Sequence, residues 1–272
     1  NTDSRKENLA MKSDPILVTG ATGCVGGRLI PSLLDAGYRV RAMGRNLEKI
    51  GCRPWAGHCR VELVQGDVLN LESLKKAASG CWAAYYLVHS MIAQKEKFVE
   101  ADRRAAQNMV AAASDANLEK IIYLGGLAEG GKGPLSKHLK SRIEVADILQ
   151  SGPVPTTDLR TPMILGSGSA SFEIIRDLVE KLPLMVAPRW LNTRAQPIAI
   201  RNVVQFLTGV LLNSVAYDKS FDIGGPDILT YKEMLLQFAR IRNLRRTIWV
   251  VPVMTPKLSS YWLYFITSTS YK

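Results

Sequence analysis

The chain has 272 residues, of which 47% are hydrophobic and 22% are charged. This apolar share excludes an intrinsically disordered chain, and the length suits one large domain or one domain with a smaller lobe. Lys and Arg number 35 against 24 Asp and Glu, which gives a net charge of +11. Such a balance favours an anionic partner, for example a phosphorylated cofactor, a nucleic acid or a lipid surface.

The sequence carries no membrane or secretion signal. No apolar run approaches the roughly 20 residues of a membrane helix, and no charged and then apolar leader opens the chain. We therefore expect a cytoplasmic protein, although the chain starts at Asn1 rather than Met and an upstream leader could have been removed.

The C-terminal part combines a basic run, RIRNLRR at residues 240–246, with an aromatic run, YWLYF at residues 261–265. Together they suggest weak contact with a membrane surface. No nucleic-acid-binding motif accompanies the basic run, so we expect no specific nucleic-acid partner. The oligomeric state cannot be read from these patterns.

The four cysteines are Cys24, Cys52, Cys59 and Cys81. They lack the Cys-x-x-Cys spacing of zinc sites, and no second pair of ligands follows. We expect reduced thiols and no metal site.

From residue 14 onward, short apolar or β-branched runs alternate with longer helical patterns. The predicted strands are Ile16–Thr19, Arg39–Met43, Val61–Val64, Ala83–Val88, Lys120–Leu124 and Thr156–Leu159. The predicted helices between them are Val25–Ala36, Leu71–Ala78, Gln94–Ala116 and Ser136–Gln150. Strands joined by helix-length connections indicate right-handed crossovers and a doubly wound parallel sheet of the α/β class. Pro31, inside the first helix, predicts a kink or a distorted turn.

The alternation loosens after about residue 160. We predict helices at Phe172–Lys181, Asn202–Leu212 and Tyr231–Ile241, and short strands at Gln196–Ile200 and Ser220–Ile223.

The most informative motif lies at the first strand. Residues 16–26 read ILVTGATGCVG, which is a buried strand, a glycine turn and a helix start. Gly20 permits the tight turn, Gly23 lets the backbone approach a pyrophosphate, and Gly26 lets helix and sheet pack closely. Backbone N–H groups and the positive end of the helix then hold the diphosphate. The motif therefore predicts a dinucleotide site.

The second strand bears on the choice of cofactor. A site for NAD usually has an acidic residue about 20 residues after the glycines, where it binds the ribose 2′-hydroxyl. Residues 38–46 read YRVRAMGRN and contain no acid. Arg45, beyond the end of the strand, can bind a 2′-phosphate, whereas Arg41 is more simply a surface charge. This pattern favours NADP(H).

Asp67 follows the third strand in the run Gly66-Asp67-Val68. Its carboxylate can accept a hydrogen bond from the adenine amine, or it can cap the next helix, and both roles are compatible.

These segments resemble the short-chain dehydrogenase/reductase superfamily in its atypical, NmrA-like branch. The resemblance runs from about Pro15 to Leu236 and rests on the glycine motif and on several shorter runs. One of these, YYLVHSM at residues 85–91, resembles a bacterial-type group that often carries an extra C-terminal domain. The other runs are IIYLGG at 121–126, RTP at 160–162, QPI at 196–198 and FDIGGP at 221–226.

The resemblance implies a Rossmann-type domain at residues 14–165 and a small substrate lobe at 166–251 that is interleaved with it. Residues 1–13 would form a flexible tail, and 252–272 would lead to a missing domain. Thr161 and Pro162 would line the nicotinamide end of the cofactor. The other implied cofactor contacts are Gly20, Thr22, Gly23, Cys24, Val25, Gly26, Arg45, Asp67, Val68, Leu87, His89, Leu124 and Gly125.

The sequence departs from the superfamily at the catalytic helix. Active members use a Tyr with a Lys four residues later, and the Lys lowers the pKa of the phenol for proton exchange. Here His138 stands at the Tyr position and Arg142 at the Lys position. His138 can act as an acid or base near neutral pH, but an exposed helix residue without a catalytic role is an equal alternative. Arg142 can bind the nicotinamide ribose but cannot deprotonate.

Two functions follow from these residues. The first is an NAD(P)H-dependent oxidoreductase that reduces a small carbonyl, enone or quinone-like acceptor, with His138 and Arg142 as its catalytic residues. The second is a non-catalytic NADP(H)-binding redox sensor or scaffold, which the loss of the Tyr and Lys pair favours.

Overall fold

The computed structural model describes residues 13–89, 97–127 and 136–251. Most of the predicted tail at 1–13, the first residues of the predicted helix Gln94–Ala116 and the segment 252–272 with its aromatic run lie outside these residues. The chain divides into two compact units. The first comprises residues up to Thr161 together with Asn202–Asp222, and the second comprises Pro162–Arg201 and the residues from Ile223 onward. The division therefore falls after residue 161, not after 165, and the chain returns to the first unit at Asn202.

Thirteen strands and eight α-helices are found in the described residues. The strands are β1 Ile16–Val18, β2 Val40–Gly44, β3 Val61–Gln65, β4 Ala83–Tyr86, β5 Lys120–Gly126, β6 Thr156–Thr161, β7 Ile164–Leu165, β8 Leu184–Pro188, β9 Arg194–Ala195, β10 Ile198–Ala199, β11 Ser220–Asp222, β12 Leu229–Thr230 and β13 Thr247–Val251. The helices are α1 Gly26–Asp35, α2 Leu47–Gly51, α3 Leu71–Ala78, α4 Lys97–Asp115, α5 Lys137–Gln150, α6 Ala170–Lys181, α7 Ile200–Gly209 and α8 Tyr231–Ile241. Short 3₁₀ helices occur at Arg189–Asn192 and Ser214–Ala216.

The first unit is built on a seven-stranded parallel sheet in the order β11-β6-β5-β4-β1-β2-β3. The central strands β1, β4 and β5 are buried along nearly their whole length, because helices cover both faces of a parallel sheet. Helix α4 packs between α3 and α5. This arrangement confirms the predicted doubly wound α/β fold.

Helix α1 runs through Pro31 without a break. Proline lacks the N–H that would bind the carbonyl of Gly27, four residues earlier. The indole N–H of Trp55 donates to that carbonyl instead, at 3.2 Å. A side chain distant in sequence therefore satisfies the acceptor that Pro31 leaves unpaired.

The second unit contains three short two-stranded pairings and a pair of helices. β7 pairs with β10 and β8 with β13, both in parallel, while β9 pairs antiparallel with β12. Helices α6 and α8 pack together over a cluster of buried apolar side chains. The sequence analysis missed β7, β8, β9, β12 and β13 here, and α2 in the first unit, because elements of two to five residues give only a weak periodic signal.

No helix within residues 13–89, 97–127 and 136–251 combines the length and the apolar character needed to cross a bilayer.

Lys120 is a fully buried lysine at the start of β5. Its ammonium donates to the carbonyls of Val210 at 2.7 Å and Asn213 at 3.3 Å, and it lies 4.2 Å from the centre of the Tyr217 ring. Burial lowers the pKa of Lys120 to about 8, against the opposing influence of Asp218. The side chain thus ties β5 to the chain that follows α7.

We expect Lys120→Met to lower the free energy of unfolding by about 1–3 kcal/mol, because two buried carbonyls lose their donor. Urea denaturation followed by circular dichroism measures this change. The exposed Lys219 provides the control, since Lys219→Met should alter stability by less than about 0.5 kcal/mol. Equal effects of the two substitutions would contradict the structural role of Lys120.

Candidate functional site

Thr19 joins the first strand to the fourth at the point where both strands end. Its backbone N–H and its hydroxyl both donate to the carbonyl of Tyr85 at 3.0 Å, and its hydroxyl accepts from the N–H of Leu87 at 3.2 Å. These bonds hold the start of the glycine turn beside the end of β4. The turn is therefore anchored on both of its neighbouring strands.

The turn itself requires glycine at two places. Gly20 has a φ of +70°, and a Cβ there would lie 2.9 Å from the carbonyl oxygen of Leu87. A Cβ at Gly26 would lie 2.4 Å from the carbonyl oxygen of Gly20. Within the turn, the N–H of Gly23 donates to the same carbonyl at 2.9 Å. The first turn of α1 consequently rests directly on the end of β1.

Helix α1 begins without a side-chain cap. Val25 occupies the N-cap position, makes no side-chain hydrogen bond to the helix, and is followed by no acidic residue in the first turn. A helix N-terminus leaves backbone N–H groups without intrahelical acceptors and carries a partial positive charge. The start of α1 therefore has the chemistry that binds a phosphate group.

Two guanidinium groups bind carbonyls of the turn, and neither was singled out from the sequence. Arg53 donates to the carbonyl of Thr22, and Arg28 donates to the carbonyl of Cys24 at 3.0 Å. Arg28 is one helical turn from Cys24, so its spacing could have indicated this contact. Arg53 follows α2 and comes close only in the folded chain. Both side chains add positive charge beside the turn.

The structure separates the roles of the two arginines of the second strand. Arg41 forms an ion pair with Glu62 at 2.8 Å and donates to the carbonyls of Ala77 and Ser79. It is therefore a structural residue rather than a surface charge. Arg45, just beyond β2, is exposed, and its guanidinium has no hydrogen-bond or ion-pair partner in the described residues.

Asp67 and Val68 follow β3 at the same edge of the sheet. The carboxylate of Asp67 accepts from the N–H of Leu69 at 3.0 Å. The next helix, α3, is capped by Asn70, whose side chain accepts from the N–H of Ser73. The alternative that Asp67 is the helix cap is therefore wrong, and its carboxylate instead shapes a local turn. Val68 is buried, and its carbonyl accepts from Asn108 at 2.8 Å.

Leu87 and His89 follow β4, on the other side of the glycine turn. His89 is exposed, yet surrounding protein atoms and the nearby Arg142 lower its pKa to about 4. The preceding Tyr85 and Tyr86 are core residues. The hydroxyl of Tyr85 donates to the carbonyl of Leu207 at 3.0 Å, so this side chain has a structural role in the core.

The end of β5 lies against helix α5. Arg142 points its guanidinium at the carbonyl of Leu124, at 3.5 Å, and its Cδ occupies the space that a side chain at Gly126 would need. Gly125 lies beside Asp158, whose Oδ1 would be only 2.4 Å from a Cβ at residue 125. Arg142 is therefore held at the end of the strand, where the resemblance places the nicotinamide ribose.

His138 lies one helical turn before Arg142 on α5. It is exposed, and its ring stacks on that of Phe98, with centroids 4.4 Å apart and an angle of 11° between the planes. The stacking contact holds the exposed ring in one orientation.

The last two predicted contacts, Thr161 and Pro162, are consecutive in the chain, and the boundary between the two units falls between them. Thr161 is the buried final residue of β6, and its carbonyl accepts from the N–H of Leu127 at 2.9 Å. Pro162 is the first residue of the second unit. Within residues 13–89, 97–127 and 136–251, no group of three or more His, Cys, Asp or Glu side chains is arranged to hold a metal ion.

The basic run at 240–246 is partly engaged within the second unit. Arg242 forms an ion pair with Glu180 at 3.1 Å, and Arg246 donates to the carbonyl of Val179. Part of its charge is therefore neutralised by the fold.

The predicted cofactor contacts of the first unit share one feature, which is their place at the carboxyl edge of the sheet. They lie just beyond β3, β2, β1 and β4 and in the last residues of β5 and β6, and these six strands are consecutive neighbours in the sheet. The glycine turn lies between β1 and β4, where the direction of strand order reverses, and such a switch point is where open α/β sheets bind ligands. The uncapped α1 terminus and the small residues of the turn fit a dinucleotide pyrophosphate.

Comparison with protein families agrees with this geometry. Residues 20–151 match a family described as NAD(P)H-binding. Cinnamoyl-CoA reductase 1 of Petunia hybrida is 25% identical over 236 residues, which cover 80% of this chain and 68% of the reductase. Matches to two other curated relatives span about a third of the length of each relative.

Solved structures share the same architecture. Triphenylmethane reductase of a Citrobacter species superposes with a TM-score of 0.74 at 21% identity, over 92% of this chain and 83% of that one. A nucleoside-diphosphate-sugar epimerase from Staphylococcus aureus superposes with a TM-score of 0.71 at 20% identity, over 88% and 80% of the two chains.

The chain therefore has a Rossmann-type fold, which it shares with solved epimerase and reductase structures. More specifically, its residues 20–151 are similar to an NAD(P)H-binding family.

The glycine turn generates a prediction with a matched control. We expect Gly26→Ala to weaken dinucleotide binding by at least about tenfold, or about 1.4 kcal/mol, because the added methyl group forces α1 away from Gly20. Gly27→Ala should bind normally, since its Cβ would lie 3.7 Å from the nearest atom, an ordinary contact. Isothermal titration calorimetry with NADPH measures both, and circular dichroism verifies folding. Equal affinities would show that the close approach does not govern binding.

Proposed function

We propose that the protein is an NADPH-dependent reductase of a small carbonyl, enone or quinone-like acceptor. The observation that carries this proposal is the alignment of an uncapped helix start, a glycine turn and the Arg142 side chain along one edge of the sheet. The match to an NAD(P)H-binding family and the similarity to cinnamoyl-CoA reductase support it.

In this proposal, different residues of the first unit bind the cofactor and transfer the proton. The glycine turn binds the pyrophosphate, and Arg142 binds the nicotinamide ribose through charge-assisted hydrogen bonds. When bound, the cofactor supplies the hydride. His138 exchanges a proton at one imidazole nitrogen, and its stacking on Phe98 keeps the ring in a single orientation.

We further propose a preference for NADP(H) over NAD(H). Arg45 supports it, because its exposed guanidinium is uncommitted within the described part of the chain and follows the strand that normally carries the ribose-binding acid. Arg53, which binds the carbonyl of Thr22, adds a second positive charge close to the turn. Arg41 is excluded from this role by its ion pair with Glu62.

We expect Arg45→Ala to weaken NADPH binding by about 10- to 100-fold, because a charge-assisted hydrogen bond to phosphate is lost. NADH binding should change by less than about twofold, since NADH lacks the 2′-phosphate. Calorimetric titration with NADPH and with NADH gives the two affinities and therefore their ratio in each variant. Arg39→Ala is the control, because Arg39 is an exposed arginine at the opposite end of the same strand. A parallel loss of both affinities in Arg45→Ala would contradict the preference.

The reaction is tested by NADPH oxidation with a panel of quinones, enones and aldehydes. We expect turnover with at least one acceptor, and a fall of about 100-fold in His138→Ala because a general acid is removed. Lys140→Ala, an exposed position on the same helix, should keep the rate of the unaltered protein.

A second function is favoured by one observation, the packing of the His138 ring against Phe98 rather than in a polar network. In that case the protein is an NADP(H)-binding sensor or scaffold. Tight NADPH binding without turnover on any acceptor of the panel would replace the reductase proposal with this one.

A further inference from the structure

A narrow polar slot lies between helix α5 and the strands β5, β6 and β11, within the first unit. Its volume is about 50 Å³, which has room for about three water molecules. Its residues are Gly125, Gly126, Arg142, Ile143, Ala146, Asp147, Gln150, Asp158, Arg160 and Ser220. The slot therefore extends from the end of β5, where Arg142 lies, down to the middle of β6.

Asp158 is the acid at the inner part of this slot. Its side chain is 1% exposed, and its Oδ1 has no hydrogen-bond partner in the described residues. Arg160, on the same face of β6, also lines the slot, and its Nε forms an ion pair with Asp222 at 2.8 Å without hydrogen-bond geometry. A buried polar atom without a partner is costly, and ordered water is the usual way to satisfy it.

Two glycines leave this carboxyl next to the edge of the sheet. Any side chain at Gly125 would collide with Oδ1 of Asp158, and any at Gly126 would collide with Arg142. The Asp158 carboxyl consequently occupies the space that residue 125 would otherwise fill. The outer part of the slot reaches solvent, because the Arg160 side chain is 40% exposed and Asp147 is exposed.

Burial raises the pKa of Asp158 to about 6, against the opposing effects of Arg160 and of a hydrogen bond from Ser220. Asp222 on β11 and Asp147 on α5 raise it further. Tyr123 on β5 and Arg142 on α5 complete the titratable or charged groups around the slot. The carboxyl can therefore hold a proton at mildly acidic pH and release it near neutrality.

We propose that Asp158 is the proton reservoir of the reduction, and that water in this slot carries its proton to His138, which lies one helical turn from the slot residue Arg142 and protonates the acceptor. The inference rests on the proposed reductase function. A bound dihydronicotinamide would supply hydride to the carbonyl carbon, His138 would give a proton to the carbonyl oxygen, and slot water would return a proton to His138. That water regains a proton from the Asp158 carboxyl, and the resulting carboxylate is reprotonated from solvent through the outer part of the slot.

The test compares the pH profiles of Asp158→Asn and Asp35→Asn, with an acceptor identified in the panel. In the unaltered protein, turnover should fall as pH rises above about 6, because the reservoir is then ionised. In Asp158→Asn, this fall in turnover with rising pH should disappear, and turnover should be at least about tenfold lower than in the unaltered protein. The KM for NADPH should differ from that of the unaltered protein by less than about twofold. Asp35→Asn, which changes an exposed carboxylate at the end of α1 that does not line the slot, should retain both the pH dependence and the rate.

A readout independent of turnover is the infrared signal of protonated carboxyl groups in the nucleotide-free protein. A band that titrates near pH 6 should be present in the unaltered protein and absent from Asp158→Asn. Should Asp158→Asn fail to fold, Ser220→Ala keeps the inference testable. It removes a hydrogen bond that favours the carboxylate, so both the band and the fall in turnover should shift to higher pH.

The outcomes separate the two proposals. If the protein binds NADPH but reduces no acceptor, the reductase function fails, and this inference fails with it. If the protein reduces an acceptor, and Asp158→Asn keeps both the rate and the fall in turnover above about pH 6, only the role of Asp158 as a proton reservoir is overturned. A carboxyl band that does not titrate near pH 6, or that survives in Asp158→Asn, also overturns it.

Discussion

A Cβ at residue 26 would lie 2.4 Å from the carbonyl oxygen of Gly20, and this steric limit governs the site. Only glycine lets the first turn of α1 settle on the end of β1. The hydrogen bonds of Thr19 to Tyr85 and Leu87 then fix that strand end against β4. The helix start is therefore aimed along the carboxyl edge of the sheet at the reversal of strand order, where a dinucleotide binds.

Hydrogen bonds and an ion pair determine which arginine side chains lie beside this turn. Arg53 binds the carbonyl of Thr22, and Arg28 binds that of Cys24, so two cations engage acceptors of the turn. The guanidinium of Arg41 is already engaged in an ion pair with Glu62 and in hydrogen bonds to carbonyls at the end of α3. Because backbone carbonyls near the turn are bound by cations, the local field favours an anion.

Two buried ionisable side chains of the same sheet differ in whether their polar atoms have hydrogen-bond partners. Lys120, at the amino end of β5, donates to two carbonyls and lies against an aromatic ring. Asp158, on the neighbouring strand towards the carboxyl edge, has an oxygen without a partner in the described residues, beside a polar slot. A satisfied buried charge suits a structural role, whereas an unsatisfied one beside a solvent path suits proton exchange.

The sequence by itself determined the sheet and the turn. Alternating apolar and helical runs predicted every strand of the seven-stranded sheet, because its central strands are buried on both faces. The glycine spacing predicted the turn, because its constraint is local and involves residues six apart. The sequence could not place Arg53 at Thr22, Trp55 at the carbonyl facing Pro31, or Asp158 in the space beside Gly125. These contacts join residues about 30 positions apart, and only the tertiary structure decided them, since side-chain partners depend on how the elements pack.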